Sequence, residues 1–176
     1  MAIFFYYTGE AYGAFSGWSP HGFELDGHFW QTLEHFYQAQ KFAGTPHADE
    51  IRLAPTPRKA KQLGSRTDWP LRADWEAVKD AVMYRGVMAK IVSHPDVCAL
   101  LMATSDEELV ENSRTDFYWG CGADGSGQNK LGKTYMAVRD ALRAASEAPD
   151  GAASDTPAGR SNRPTAENTA QKTLDN

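Results

Sequence analysis

The chain has 176 residues, 41% of them hydrophobic and 11% aromatic, which is enough for one domain with a sizeable core. A formal charge of -5 argues against a protein that grips long nucleic acid through its phosphates, although a local basic pocket can still hold a small phosphorylated ligand. Cys98 and Cys121 form no CxxC and lack metal-ligand spacing, so they read as reduced thiols rather than a disulfide framework or a zinc site.

In chain order, Ile3–Tyr7 is a short apolar run and reads as a strand. The segment "GFELDGHFWQ" alternates around Asp26-Gly27, a strong hairpin signal. Thr32 to Ala43 reads as a helix ended by Gly44, and His47 to Leu53 as another short one. Thr56-Pro57 supplies a cap and a first-turn proline for a third helix, which Gly64 ends. Asp74 is expected to cap a long helix through about Val92, whose wide apolar face suits a central position. His94-Pro95 opens the next helix. Leu109-Val110 and Phe117–Trp119 read as short strands around a polar turn. Leu131, Tyr135, Val138 and Leu142 space a final amphipathic helix. The fold class is α+β, a helix-rich single domain with a few short strands over residues 1–145. Residues 146–176 contain no aromatic or β-branched aliphatic residue and read as a disordered polar tail. No N-terminal segment has the pattern of a signal peptide, and "IFFYY" is too short to span a bilayer, so the expectation is a soluble cytoplasmic protein.

The stretch "GQNKLGKT", Gly127 to Thr134, matches the phosphate-binding pattern G-x-x-x-x-G-K-[ST] letter for letter. Its context fails. A nucleotide-binding loop of this type needs a buried strand feeding the turn, and here the preceding residues are "WGCGADGS". An NTPase is therefore rejected. The glycines at 120, 122, 125, 127 and 132 are read either as a close approach to an anionic ligand or as tight turns.

Two clusters carry candidate chemistry. On a helix through "TLEHFYQAQKF", Glu34, Gln38 and Lys41 share a face, with the carboxylate and the amine two turns, about 10 Å, apart. They flank a small ligand or decorate a solvated face. In "ENSRTDFYWGCGADGSGQN", Asp116 and Trp119 border the glycine-rich loop. A carboxylate there suits stabilisation of an oxocarbenium ion or positioning of water. An indole suits stacking on a heterocycle, or core packing. Glu111 and Asn112 lead into this cluster and line the same cavity or end a strand. None of the five histidines has metal-ligand spacing, and His35 reads as structural. No metal site is expected.

The ordered set "FSGWSPHGFELDGHFWQTLEHFYQAQKF", "APTPRKAKQLGSR", "DWEAVKDAVMYRGVMAKI" and "LLMATSDEELVENSRTDFYWGCGADGSGQNKLGKTYMAVRDALR" resembles the NADAR (NAD and ADP-ribose related) superfamily, most closely its YbiA-like branch. The resemblance covers about residues 3 to 143. It implies a single α+β domain that cleaves N-glycosidic bonds without a metal or cofactor. The implied substrate is a small phosphorylated ribosylamino heterocycle, such as an early riboflavin-pathway intermediate. The alternatives are removal of ADP-ribose from guanine, the one reading that involves nucleic acid, and a non-catalytic ADP-ribose or NAD-binding module. Carried over by position, the resemblance gives Glu34, Lys41 and Asp116 as catalytic, with Trp119, Asn129, Glu111, Gly120 and Arg66 as substrate-binding. It leaves Lys41 as a phosphate contact or an amine nucleophile. The chain departs from the family at Gly17, where asparagine is usual, and at Gly64-Ser65-Arg66, where the arginine usually follows glycine directly.

Overall fold

The structure, a computed structural model, describes residues 1–147. Its elements run β1 (Ala2–Phe5), a single 3₁₀ turn (Gly13–Phe15), β2 (Phe23–Leu25), β3 (His28–Trp30), α1 (Leu33–Gln40), α2 (Pro46–Arg52), α3 (Pro57–Gly64), α4 (Trp75–Ser93), α5 (Pro95–Ala103), β4 (Glu108–Glu111) and α6 (Lys130–Glu147). This is the expected helix-rich α+β domain. Helix α6 takes in Ser146 and Glu147; the rest of the predicted tail, 148–176, lies outside the described residues.

Six helices wrap a core in which Phe5, Phe15, Phe36, Val87, Ile91, Leu109, Tyr135 and Val138 are fully buried. The long α4 packs against α1, α5, α6 and β2, as its wide apolar face requires. Strand β1 pairs in parallel with β4, Phe5 opposite Glu111, although five helices and the β2–β3 hairpin lie between them in the chain. Their C-terminal ends therefore open side by side. The β2–β3 hairpin turns at Asp26 and Gly27, both with positive φ, as a two-residue loop demands. Thr32 and Thr56 cap α1 and α3 by accepting the amides of His35 and Lys59. His35 is fully buried, and its Nε2–H donates to the Ala54 carbonyl while Nδ1 accepts from the Thr32 hydroxyl. It is a neutral structural histidine whose pKa burial lowers.

Two sequence expectations are corrected. Asp74 makes no capping bond to α4, because its carboxylate takes both arms of the Arg72 guanidinium, at 2.6 and 2.9 Å. Phe117–Trp119 is not a strand. Asp116 Oδ1 accepts the amides of Tyr118 and Trp119, at 2.9 and 2.7 Å, and folds the segment into a turn.

The glycine-rich loop is packed against its own chain. The amides of Gly127, Gln128 and Asn129 donate to the carbonyls of Cys121, Phe117 and Gly120, and those of Lys130 and Leu131 to Tyr118 and Trp119. The first amides of α6 are thus spent on backbone carbonyls and do not form an anion cradle. A Cβ on Gly132 would stand 2.0 Å from the Leu109 carbonyl oxygen, so this glycine exists to seat α6 on β4. The turn reading of these glycines is the one the structure supports.

Candidate active site

Helix α1 places Leu33, Glu34, Tyr37, Gln38 and Lys41 on one face, at the three-, four- and seven-residue spacings of a helix. That face forms one wall of a cavity of about 540 Å³. The end of β1 adds Tyr6 and Tyr7, and the loop after the 3₁₀ turn adds Gly17 and Trp18. Helix α3 contributes Arg58 and Lys61. The end of β4 contributes Glu111, and the segment after it Ser113, Asp116 and Trp119. The two clusters that the sequence placed 70 residues and more apart therefore face one space.

The carboxylates are held differently. The Glu34 amide donates to the Gly17 carbonyl at 2.9 Å, and its Oε1 accepts from Gln38 Nε2 at 2.7 Å. Burial raises its pKa, opposed by the Gln38 bond and then by Lys61 and Lys41. Asp116 spends Oδ1 on its own turn. Glu111 leaves Oε2 buried with no hydrogen-bond partner among the described residues. Burial first, then the charges of Asp116 and Glu34, push its pKa up to about 8. One cavity with three carboxylates thus keeps a proton on Glu111 near neutral pH.

Lys41 is half-buried and makes one hydrogen bond, from Nζ to the Gly64 carbonyl at 3.0 Å. Burial lowers its pKa and Glu34 opposes that shift. Gly64 has a second use here: a Cβ would lie 2.1 Å from Gln38 Oε1, so its bare backbone lets α3 approach α1. Aromatic rings form the floor. Tyr37 lies between Trp75 and Trp119, with ring centroids at 5.1 and 5.3 Å, and its hydroxyl accepts from Trp119 Nε1 at 3.1 Å. Burial raises the Tyr37 pKa, so the phenol stays protonated.

Of the sequence-derived candidates, Glu34, Lys41, Glu111, Asp116 and Trp119 line this cavity. Gly120, Asn129 and Arg66 do not. A Cβ on Gly120 would press on Ser113 at 2.6 Å, so this residue packs behind the Glu111–Asp116 turn. Asn129 is buried and ties the strand end, accepting from the Glu111 amide at 3.0 Å and donating to the Leu109 carbonyl at 2.8 Å. Arg66 is exposed, pairs with Asp68 and lies over the Trp69 ring. Arg58, Lys61, Tyr6, Tyr7 and Trp18 were not singled out from sequence. The Thr56-Pro57 cap fixes the α3 register that puts Arg58 and Lys61 on one face, but which face meets α1 is decided by Gly64 and Gln38. Among the described residues no His, Cys, Asp or Glu group could hold a metal ion. No single helix there is long and apolar enough to cross a membrane.

The same α+β fold is found in the NMR structure of the Escherichia coli protein YbiA, with a TM-score of 0.78 and 40% identity, covering 83% of this chain and 87% of that one. N-glycosidase Npun_R5314 from Nostoc punctiforme is 47% identical over 146 residues, which cover 81% of this chain and 94% of that protein. N-glycosidase YbiA from Escherichia coli is 41% identical over 140 residues, 80% of this chain and 88% of that protein. A third relative, the chloroplastic riboflavin biosynthesis protein PYRR of Zea mays, is 39% identical over 155 residues, 80% of this chain but 25% of its own length. The NADAR domain matches residues 4–143. The chain belongs to the NADAR domain family, and it is an N-glycosidase.

Proposed function

We propose that the chain hydrolyses the bond between ribose C1 and nitrogen in a phosphorylated ribosylamino heterocycle of the kind formed early in riboflavin biosynthesis. The observation that carries the reading is the convergence of Glu34, Asp116, Glu111 and Lys41 on one cavity with an aromatic floor. The riboflavin-related name of the Zea mays relative supports the substrate class.

As the C1–N bond lengthens, positive charge grows on C1 and the ring oxygen, and the bonding pair leaves with the nitrogen. The side chains of Glu34 and Asp116 face that charge, and one of them takes the proton of the attacking water. Glu111, which holds its proton near neutral pH, supplies it to the departing nitrogen. Free heterocyclic amine and ribose 5-phosphate result, with no net change in protons on the enzyme. The heterocycle stacks on Trp119. Lys41 binds the sugar as a cation or attacks the opened ribose at C1 as a free amine. Borohydride reduction during turnover separates these roles, since only an imine to Lys41 is trapped as a stable adduct.

The test is chromatography of products from two substrates, the phosphoribosylamino pyrimidine and guanosine carrying ADP-ribose. Free pyrimidine from the first alone supports the proposal. Unmodified guanosine from the second alone moves the activity to reversal of guanine ADP-ribosylation. Micromolar ADP-ribose binding with no cleavage of either leaves a binding module.

A further inference from the structure

We infer that Arg58 and Lys61 of α3 form a subsite at the cavity mouth for the 5-phosphate monoester of the ribose. This inference builds on the ribosyl-substrate reading above and assigns the phosphate to residues distinct from Lys41.

Arg58 and Lys61 stand three residues apart, so they project from one helix face, and that face lines the cavity. Both are exposed, and neither has a carboxylate within salt-bridge distance among the described residues. Arg52, Arg66, Arg72 and Arg85 are paired, with Asp49, Asp68, Asp74 and Asp26, and of the exposed cations that have no such partner among the described residues, Lys59, Arg114 and Lys133 do not line the cavity whereas Arg58 and Lys61 do. The Arg58 guanidinium is instead held over the Trp18 ring, 6.0 Å from its centroid, which orients the planar fork at the rim. Lys61 is near enough to oppose the rise in the pKa of both Glu34 and Glu111. It therefore faces the same space as the carboxylates.

The cavity is divided by charge. Glu34, Glu111 and Asp116 come from α1, the end of β4 and the segment after it, while Arg58, Lys61 and Lys41 come from α3 and the end of α1. A phosphate dianion is repelled from the first side and attracted to the second. A ribose 5-phosphate has its reacting C1 and its phosphate at opposite ends of the sugar. Only one orientation puts C1 among the carboxylates and the phosphate against α3. In a chain of net charge -5 the overall field does not gather anions, so local unpaired cations must do it. Arg58 matches phosphate with paired N–H donors and Lys61 adds a point charge, while the Ser65 hydroxyl at the end of α3 is already donated to the Lys61 carbonyl at 2.7 Å.

The test is calorimetric titration of the whole chain with ribose 5-phosphate and, separately, with ribose. Wild type is expected to bind the phosphate ester at least tenfold more tightly than ribose. The double variant R58Q/K61Q is expected to lose that preference while binding ribose as before and melting at the wild-type temperature. Both side chains are exposed, so the fold does not depend on them. A wild type without the preference, or a double variant that keeps it, overturns the subsite. Titration needs no turnover, so a protein that prefers the phosphate ester but cleaves no glycoside overturns the cleavage reading alone. One that cleaves equally well with and without the phosphate overturns this subsite alone.

Discussion

Two lysines with lowered pKa, Lys90 and Lys41, sit in opposite kinds of surroundings. Lys90 on α4 is fully buried, and its Nζ donates to the Ser16 carbonyl at 3.0 Å, Ser19 Oγ at 2.7 Å and Tyr135 OH at 3.2 Å. All three donors of the ammonium are matched by the chain itself. Burial without a counter-charge lowers its pKa to about 7. Lys41 makes one bond, to Gly64, and faces a cavity that also holds Glu34. A desolvated amine is therefore not in itself the sign of a site. Unspent bonding capacity turned toward an open space is. Lys90 braces the loop whose next residues, Gly17 and Trp18, line the cavity; Lys41 is left free to meet a ligand.

The contrast can be broken in five places. The largest expected effect is at the cavity: Glu34→Gln keeps the Gln38 neighbour and the shape but removes the charge, and kcat should fall at least tenfold, on the order of 10²-fold. The melting temperature should hardly change. Wild-type turnover in this variant would remove Glu34 from the reaction. Next is Gly64→Ala, whose Cβ collides with Gln38 and whose carbonyl holds Lys41. A loss of about 1–3 kcal/mol in urea unfolding is expected, with a lower kcat. An unchanged midpoint would mean that α1 and α3 do not meet this closely.

The two regions also predict opposite responses to pH. For Lys90, folded near 7 against 10.5 unfolded, the unfolded chain binds more protons between those values, so this group adds stability as pH rises from 7 to 10.5. For Glu111, folded near 8 against 4.5 unfolded, the folded chain binds more protons, so its contribution falls as pH rises from 4.5 to 8. Subtracting the curve of Lys90→Met from wild type should give the first slope, and that of Glu111→Gln the second. Equal slopes for wild type and variant would show that the group titrates as it does in water. The smallest effect is expected for Arg66→Ala, exposed and paired with Asp68 away from the cavity: kcat/KM within about twofold of wild type. A large loss would return Arg66 to the site.

The helices were legible because their punctuation is local. Thr32, Thr56-Pro57, Gly44 and Pro95 each act within one turn of the boundary they set. The hairpin followed from Asp26-Gly27 in the same way. Phe117–Trp119 was misread because apolar composition suggested a strand, while a single carboxylate, Asp116, claimed the amides a ladder needs. Helical spacing put Glu34 and Lys41 on one face but left open a solvated one, and Asp116 and Trp119 drew notice beside the glycines with core packing as the alternative for Trp119; the fold is what turns all four to one cavity. Arg58 and Lys61 were not, because nothing local says which face of α3 turns inward. Asn129 could be read as a ligand contact or as a residue that orders the glycine-rich loop, and its bonds to Glu111 and Leu109 make it a clasp between α6 and β4, which only the pairing of the strand ends makes visible.

The central claim is that this cavity breaks a ribosyl C–N bond with Glu34 in the reaction. It is tested most directly by following release of free heterocyclic amine from the phosphoribosylamino pyrimidine, with wild type and Glu34→Gln at equal concentration and equal thermal stability. The account predicts stoichiometric amine and ribose 5-phosphate from wild type and at least tenfold slower release from the variant. Equal release by both proteins, or none from a folded wild type, would contradict it.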